Sequence, residues 1–330
     1  MPRALVTGAT GLVGSHIVDQ LLAQRWTVRA LVRHPAPGLA ARGIDLAVGD
    51  VLDAESFSRA AEGSDVVFHT AAVVTSRSGW EAFRRHNVDG TRNAITAASQ
   101  AGARLLHLSS VAVYSRRYEQ PSEKLDENAR SEPLPERAYY ARSKRESEDL
   151  VLGAHARGVL WATAVRPCIV YGPHDRQFVP RVSRLLRFGV APVIGGGETT
   201  LPVVGAANVA QGAILAAAHD GSGGRAYNLA NDFDVTLRDL YRFAGQGLGR
   251  RIRVLPVPYS IAMAAFRSWH TLGHVLGGGA SRVVPSGAIE MITRDNPFTS
   301  ARARVELGWM PNVRPEEGLV GAFRWWREHH

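Results

Sequence analysis

One cysteine, Cys168, and two lysines, Lys124 and Lys144, are all that this 330-residue chain contains of either type, although it has 39 basic residues. A single cysteine excludes an intrachain disulfide and fits a reducing compartment, so a cytoplasmic protein is expected. No apolar run is long and unbroken enough to span a bilayer: the most apolar late stretch, Val257 to Leu276, is interrupted by Arg267, His270 and His274. Those two histidines stand four apart, but the HExxH pattern and a third ligand are missing, so no metal site is expected. No signal peptide is expected, since the apolar strand begins almost at Met1 and runs straight into glycines, and no repeat or low-complexity tract is seen.

Arginine is what the chain has instead. It gives a net charge of +9, spread over the whole length with pairs at Arg84-Arg85, Arg116-Arg117 and Arg250-Arg251. A nucleic-acid binder would concentrate such charge and interleave it with aromatics, so nucleic acid is not an expected partner. Attraction to anionic cofactors, or a peripheral contact with a membrane surface, suits the charge better. An apolar fraction of 45% with 21% charged residues describes a soluble globular chain, and its length suggests about two domains.

Where arginine is the default cation, a lysine is informative. Tyr139-Tyr140-Ala141-Arg142-Ser143-Lys144 opens an amphipathic run reaching Ala156, and on a helix Tyr140 and Lys144 share one face a turn apart. A phenol beside an ammonium is a tunable acid/base pair, because a fixed cation favours the phenolate.

A redox site can be traced around this pair. Ala4-Leu5-Val6 reads as a buried strand, Thr7 to Gly14 as a G-x-x-G-x-x-G turn, and His16 to Gln24 as a helix, together a phosphate-binding geometry. The second strand, Thr27 to Val32, ends in Arg33-His34 with no carboxylate for a ribose 2′-hydroxyl, which favours NADP(H) over NAD(H). Further strands are expected at Asp45 to Val48, Asp65 to Phe68, Arg104 to Leu108 and Trp161 to Val165, with one helix from Glu81 to Ala101. Small residues in Thr70-Ala71-Ala72 let a cofactor lie against the backbone, whereas His69 is expected to be structural. The alternation predicts an α/β fold, a Rossmann doubly wound parallel sheet, whose carboxyl edge would carry Ser110 beside Tyr140. Ser115 to Arg137, polar and proline-containing, reads as a loop over the site.

These pieces together resemble the extended short-chain dehydrogenase/reductase family, the NAD-dependent epimerase/dehydratase superfamily, and within it the 3β-hydroxysteroid dehydrogenase-like reductases. The resemblance implies that Tyr140 is the catalytic acid/base, that Lys144 lowers its pKa and binds the nicotinamide ribose, and that Ser110 orients the substrate oxygen. The implied cofactor surface comprises Thr7, Gly8, Thr10, Gly11, Leu12, Val13, Gly14, Arg33, Asp50, Val51, Thr70, Ala71, Ala72, Asn87, Ser109, Pro167, Ile169 and Val170, besides Tyr140 and Lys144. Within it the glycines hold the pyrophosphate, Asp50 the adenine, and Asn87 lies on the nicotinamide side. A homodimer is implied as well, through the helix carrying Tyr140 and the helix after Asn87.

Two departures from the nucleotide-sugar members bear on the substrate. Ile169 stands where they usually have an asparagine, and Leu201 about where they carry an arginine. A diphosphate would lose charge-assisted hydrogen bonds there, unless Arg176 or Arg181 replaced them. The expected substrate is therefore a largely apolar ketone or secondary alcohol, bound near Ser110, Tyr114, Ile169, Tyr171 and Phe178. A nucleotide-sugar epimerase and a non-catalytic nucleotide sensor are the alternatives. The expected division is residues 1–174 with 203–232 for the nucleotide domain, and 175–202 with 233–330 for a smaller, interleaved substrate domain. In the latter an amphipathic helix over Ser260 to Leu276 would wall the pocket, pack on its own domain or rest on a membrane, and Trp325-Trp326 would pack down a helix beginning at Pro315.

Overall fold

The computed structural model describes residues 1–75, 79–114, 124–129, 133–230, 232–258, 260 and 294–330. Its first half alternates strand and helix: β1 (Arg3–Thr7), α1 (Leu12–Ala23), β2 (Thr27–Val32), α2 (Pro37–Ala40), β3 (Asp45–Val48), α3 (Ala54–Ala61) and β4 (Val66–His69). There follow α4 (Gly79–Phe83), α5 (Gly90–Gln100), β5 (Arg104–Leu108), α6 (Tyr139–Ala156) and β6 (Ala162–Pro167). After β7 (Ile169–Tyr171), α7 (Phe178–Leu185), β8 (Val190–Ile194), β9 (Val203–Gly205) and α8 (Ala206–Ala218), the chain returns as β10 (Ala226–Leu229). Then come α9 (Leu237–Leu248), β11 (Arg253–Val257) and helices at Ala301–Leu307 and Pro315–His329.

Seven parallel strands form one sheet in the order β10-β6-β5-β4-β1-β2-β3. Helices cover both faces, so the inner strands are apolar on both sides, as in the fully buried Ala4-Leu5-Val6 and Val66-Val67-Phe68. On one face α1 and α8 contribute Ile17, Val18, Leu21, Val209 and Ala213 to the core. On the other, α3, α5 and α6 contribute Phe57, Ala94, Ala97, Ala98 and Val151. The chain leaves β1 toward β2 and β3, then comes back to the other side of β1 for β4. This reversal opens a crevice beyond the carboxyl ends of β1 and β4, the place where such sheets bind ligands. The architecture is the doubly wound one expected.

A second core lies apart from the sheet, built by Tyr171, Val179, Leu186, Val193, Leu201, Leu237, Phe243 and Phe323. Its β8 and β11 pair in parallel as a two-stranded ribbon. The last helix does start at Pro315, with Glu316 and Glu317 in its first turn. Its buried residues are Leu319, Ala322 and Phe323, while Trp325 and Trp326 are only half-buried and stack on His329 and His330. The helix expected over Glu81 to Ala101 is interrupted: Arg84–Asp89 winds as a π-turn between α4 and α5. The amphipathic run 261–276 and most of the loop 115–137 lie outside the described residues. Of that loop, Leu125 and Glu127 are tied to the sheet end, Leu125 bridging to Phe298.

Candidate active site

The glycine turn is built by close approach. Gly8 has φ +71°, in the left-handed region, and a Cβ on it would stand 2.8 Å from Thr70 Oγ1 and 2.9 Å from the Ala71 nitrogen. A Cβ on Gly14 would stand 2.2 Å from the Gly8 carbonyl oxygen. The missing side chains therefore let α1 and the segment after β4 close on the turn, and Thr70 Oγ1 seals it by donating to the Thr7 carbonyl at 2.6 Å. Gly11 precedes α1 in an extended conformation, and no side chain caps the first-turn N–H groups, which leaves the positive helix end to receive a phosphate. Gly14→Ala is expected to lower stability by about 1–3 kcal/mol, since the clash is with backbone. It should also weaken dinucleotide binding about tenfold or more; thermal unfolding and a cofactor fluorescence titration would measure the two losses.

The helix α6 delivers Tyr140 and Lys144 to the carboxyl ends of β4 and β5. Tyr140 is half-buried, with its ring edge-on to Phe83 at 6.4 Å between centroids and its hydroxyl hydrogen-bonded with Ser110. Ser110 caps the short turn Val111–Val113, accepting from the Ala112 N–H at 3.1 Å. Arg145 on α6 holds the same turn, its Nε donating to the Val113 carbonyl at 2.8 Å. Lys144 is buried and donates from Nζ to the Leu108 carbonyl at 2.7 Å. Burial pushes its ammonium down to about 8, against the pull of Glu148 one turn on.

The expected depression of Tyr140 is not present. Burial raises its pKa above the ordinary phenol value, and the hydrogen bond with Ser110 opposes this only in part. Desolvation disfavours the phenolate more than the partners at this site favour it. Tyr140 is thus a neutral phenol at pH 7.

Behind the pair stands a set of braces that the sequence does not announce. Asn87, in the π-turn, accepts from the Val73 N–H at 2.7 Å, and its amide donates to the Val73 carbonyl and to Ser143 Oγ, both at 2.9 Å. Its own carbonyl receives the Ser147 and Thr91 hydroxyls at 2.7 and 2.6 Å. With both amide hydrogens engaged, Asn87 joins α6 to the segment after β4 instead of presenting its side chain to the crevice. The register aligns Thr7, His69 and His107 across β1, β4 and β5. Thr7 Oγ1 lies 3.0 Å from His69 Nδ1, and the two imidazoles stack at 5.8 Å. Burial and the nearby Lys144 lower both histidines, His69 to about 3, so this row is neutral and structural as expected of His69.

A dinucleotide fits these residues. The glycine cradle and uncapped α1 suit a pyrophosphate, and Asp50 and Val51 lie just past β3. Arg33 is exposed at the end of β2, and Ser109 Oγ is buried at the end of β5 with no partner among the described residues. A model of the NAD dependent epimerase/dehydratase family matches residues 4–230. The chain belongs to this family. It is 31% identical over 322 residues to a 4-hydroxy-2-methyl-3-oxo-4-farnesyl-3,4-dihydroquinoline-1-oxide ketoreductase of Stigmatella aurantiaca, covering 96% of this chain and 94% of the relative. A 3-beta-hydroxysteroid dehydrogenase of Mycolicibacterium neoaurum is 28% identical over 333 residues, covering 96% and 89%. A UDP-glucose 4-epimerase of Thermotoga maritima matches the structure with a TM-score of 0.74 over 99% of each chain, at 21% identity, a likeness of fold. As an epimerase/dehydratase family member with such relatives, the chain is an NAD(P)-dependent oxidoreductase.

The family framework does not place every expected pocket residue in a pocket. Tyr114 is buried in the main core, its hydroxyl donating to Asn228 Oδ1 and accepting from Arg166, both at 2.8 Å. Tyr171 is buried in the second core, so neither tyrosine faces a substrate. Leu201 is buried there too, which makes its apolar character a matter of packing and removes it as evidence about the substrate. Ile169 and Phe178 remain partly exposed, and Arg176 and Arg181 are exposed near the start of α7. The residues that sequence reasoning missed are the braces: Ser143, Arg145, Ser147 and the buried pair Glu148–Arg166, bonded at 2.7 and 2.9 Å. A charged Arg166 within an otherwise apolar strand was the available signal for that pair.

Proposed function

We propose that this protein interconverts a ketone and a secondary alcohol on a largely apolar substrate, with Tyr140 as general acid/base, Ser110 beside it and NADP(H) favoured as cofactor. The observation that carries the proposal is the meeting of Tyr140, Ser110 and Lys144 at the sheet edge next to the glycine turn. When bound, the nicotinamide supplies or accepts the hydride. The chain's own part is the proton. In the reducing direction the neutral Tyr140 hydroxyl gives its proton to the carbonyl oxygen, while the Ser110 hydroxyl donates to the charge developing there. Lys144 would stabilise the resulting phenolate by its charge and, with the cofactor bound, would hold the nicotinamide ribose. Arg33, exposed where a 2′-phosphate would arrive, supports NADP(H), and the partly exposed Ile169 and Phe178 support an apolar substrate. The farnesylated quinoline oxide named for the Stigmatella relative is a ketone-bearing compound of that kind.

The proposal extends to organisation. Residues 1–174 with 203–232 serve the nucleotide and 175–202 with 233–330 the substrate, in a cytoplasmic homodimer joined through α5 and α6. Among the described residues no helix is long and apolar enough to cross a membrane.

A spectrophotometric screen of NADPH and NADH oxidation against sterol, aromatic, fatty and sugar-nucleotide carbonyl substrates tests the reading. Turnover confined to apolar ketones supports it, whereas tightly bound NAD with internal recycling on a sugar nucleotide would replace it with an epimerase. The pH profile adds a second check. Lys144 carries its charge below about 8 and loses it above. The kcat/KM for reduction should therefore be level up to that pH and fall beyond it, the reverse of a profile governed by forming the phenolate beforehand. Lys144→Met should weaken both cofactor binding and turnover, and abolish this limb.

A further inference from the structure

The second core exposes a surface that the reductase chemistry does not use. On the β8–β11 ribbon, Ala191 and Val193 turn into the core, while Val190 and, opposite Pro192, Leu255 face out, 37% and 52% exposed. Phe188, which precedes the ribbon, is 76% exposed. The positive φ of Gly189 turns the chain between them, and the Gly189 carbonyl accepts from the Arg253 N–H at 2.8 Å, bringing the Phe188–Gly189 turn to the start of β11 at Arg253, with Arg251 two residues before it. Arg187 lies over the Phe188 ring, its guanidinium carbon 4.5 Å from the centroid. Arg187, Arg251 and Arg253 are all exposed, and none has a carboxylate partner among the described residues.

The sequence explains the missing carboxylates. No Asp or Glu occurs from residue 176 to 197 or from 240 to 289, although Asp and Glu number 30 in the whole chain. A solvated surface of a soluble protein mixes both signs and keeps large apolar groups scattered. Here one sign of charge surrounds exposed aromatic and aliphatic side chains.

We infer that this face, with Phe188, Val190 and Leu255 ringed by Arg187, Arg251 and Arg253, docks reversibly on an anionic lipid bilayer. The guanidinium groups meet headgroup phosphates, and the three apolar side chains enter the boundary between headgroups and acyl chains. Duplex nucleic acid would satisfy the arginines but leave Val190 and Leu255 without apolar surroundings, so lipid fits the whole patch. Docking here needs no membrane-crossing segment. It would also bring the enzyme to where an apolar ketone concentrates, although the inference does not depend on the reductase reading.

The test is co-sedimentation of the full-length protein with vesicles of phosphatidylcholine alone or with phosphatidylglycerol, at low and raised salt, with duplex DNA binding measured in parallel. No substrate enters the assay, so its outcome is independent of the catalytic proposal. Binding should require phosphatidylglycerol and weaken with salt. It should fall about tenfold in Phe188→Ser/Leu255→Ser and about a hundredfold in Arg187→Glu/Arg251→Glu/Arg253→Glu. An unchanged thermal unfolding midpoint would show that both variants keep the fold, which their exposure predicts; if one does not, Leu255→Ser alone and Arg253→Glu alone carry the test. Equal binding to both vesicle types, no binding to either, or full retention of phosphatidylglycerol binding in the Phe188/Leu255 variant would overturn the inference. Retention with equally strong DNA binding would mark the face as a general polyanion surface.

Discussion

Tyr140→Phe is expected to lower kcat for carbonyl reduction by roughly 10²- to 10⁴-fold, the usual contribution of a positioned general acid. The substitution removes one oxygen and little else. The ring keeps its edge contact with Phe83, the backbone carbonyl of residue 140 still receives the Ser143 hydroxyl at 2.8 Å, and Lys144 keeps its bond to the Leu108 carbonyl. Cofactor affinity should therefore change by no more than about threefold, because an interaction made in the transition state has been lost and ground-state binding has not. Steady-state kinetics with an accepted ketone and a fluorescence titration with NADPH separate the two quantities. A kcat within about tenfold of the parent would remove Tyr140 from the proton transfer and leave Ser110, or a water, as the donor.

The largest effect on stability is expected at Glu148. Its carboxylate is fully buried and takes two hydrogen bonds from Arg166, which is itself buried and also donates to the Tyr114 hydroxyl and to the Glu127 carbonyl at 3.1 Å. Glu148→Ala strands the guanidinium in the interior, at a cost of about 3–5 kcal/mol. Replacing both partners by leucine should be less damaging than removing one, because no unpaired charge is then left behind. Urea unfolding of the single and double variants measures the difference. A single variant as stable as the parent would mean that Arg166 reaches water in solution.

Much of the frame was legible because its cause is local or periodic. The runs Thr27 to Val32, Asp45 to Val48 and Arg104 to Leu108 stand as strands with the boundaries read from the sequence, and α6 spans Tyr139–Ala156 as read. Parallel strands covered on both faces leave continuous apolar runs, and a glycine turn between strand and helix has few other uses. The π-turn was illegible because nothing in the periodicity of 81–101 marks it; Asn87 is engaged by partners at Val73 and Ser143, distant in sequence. Tyr114, Tyr171 and Leu201 were misplaced for a related reason. Nearness to a motif in sequence does not fix the direction of a side chain, and each of the three turns into a core. The direction of the Tyr140 shift needed the degree of burial, which helical spacing does not contain.

The clamp on α6 also fixes when the site can mature. Glu127, whose carbonyl receives Arg166, accepts through its side chain from the Asn228 N–H at 2.7 Å. The Asn228 amide donates in turn to the Thr299 carbonyl at 3.1 Å, and Ser300 Oγ receives the Ala230 N–H at 2.9 Å. The helix that carries Tyr140 is thus anchored through residues that a ribosome delivers some 90 and 160 positions later, contacts whose loop closure makes them slow to form. A nascent chain released after β6 would hold the Tyr140–Lys144 motif and its braces from Asn87 to Arg166 but lack the residues that fix Glu127 from its other side, so the anchoring is complete only when the stretch near residue 300 has left the exit tunnel.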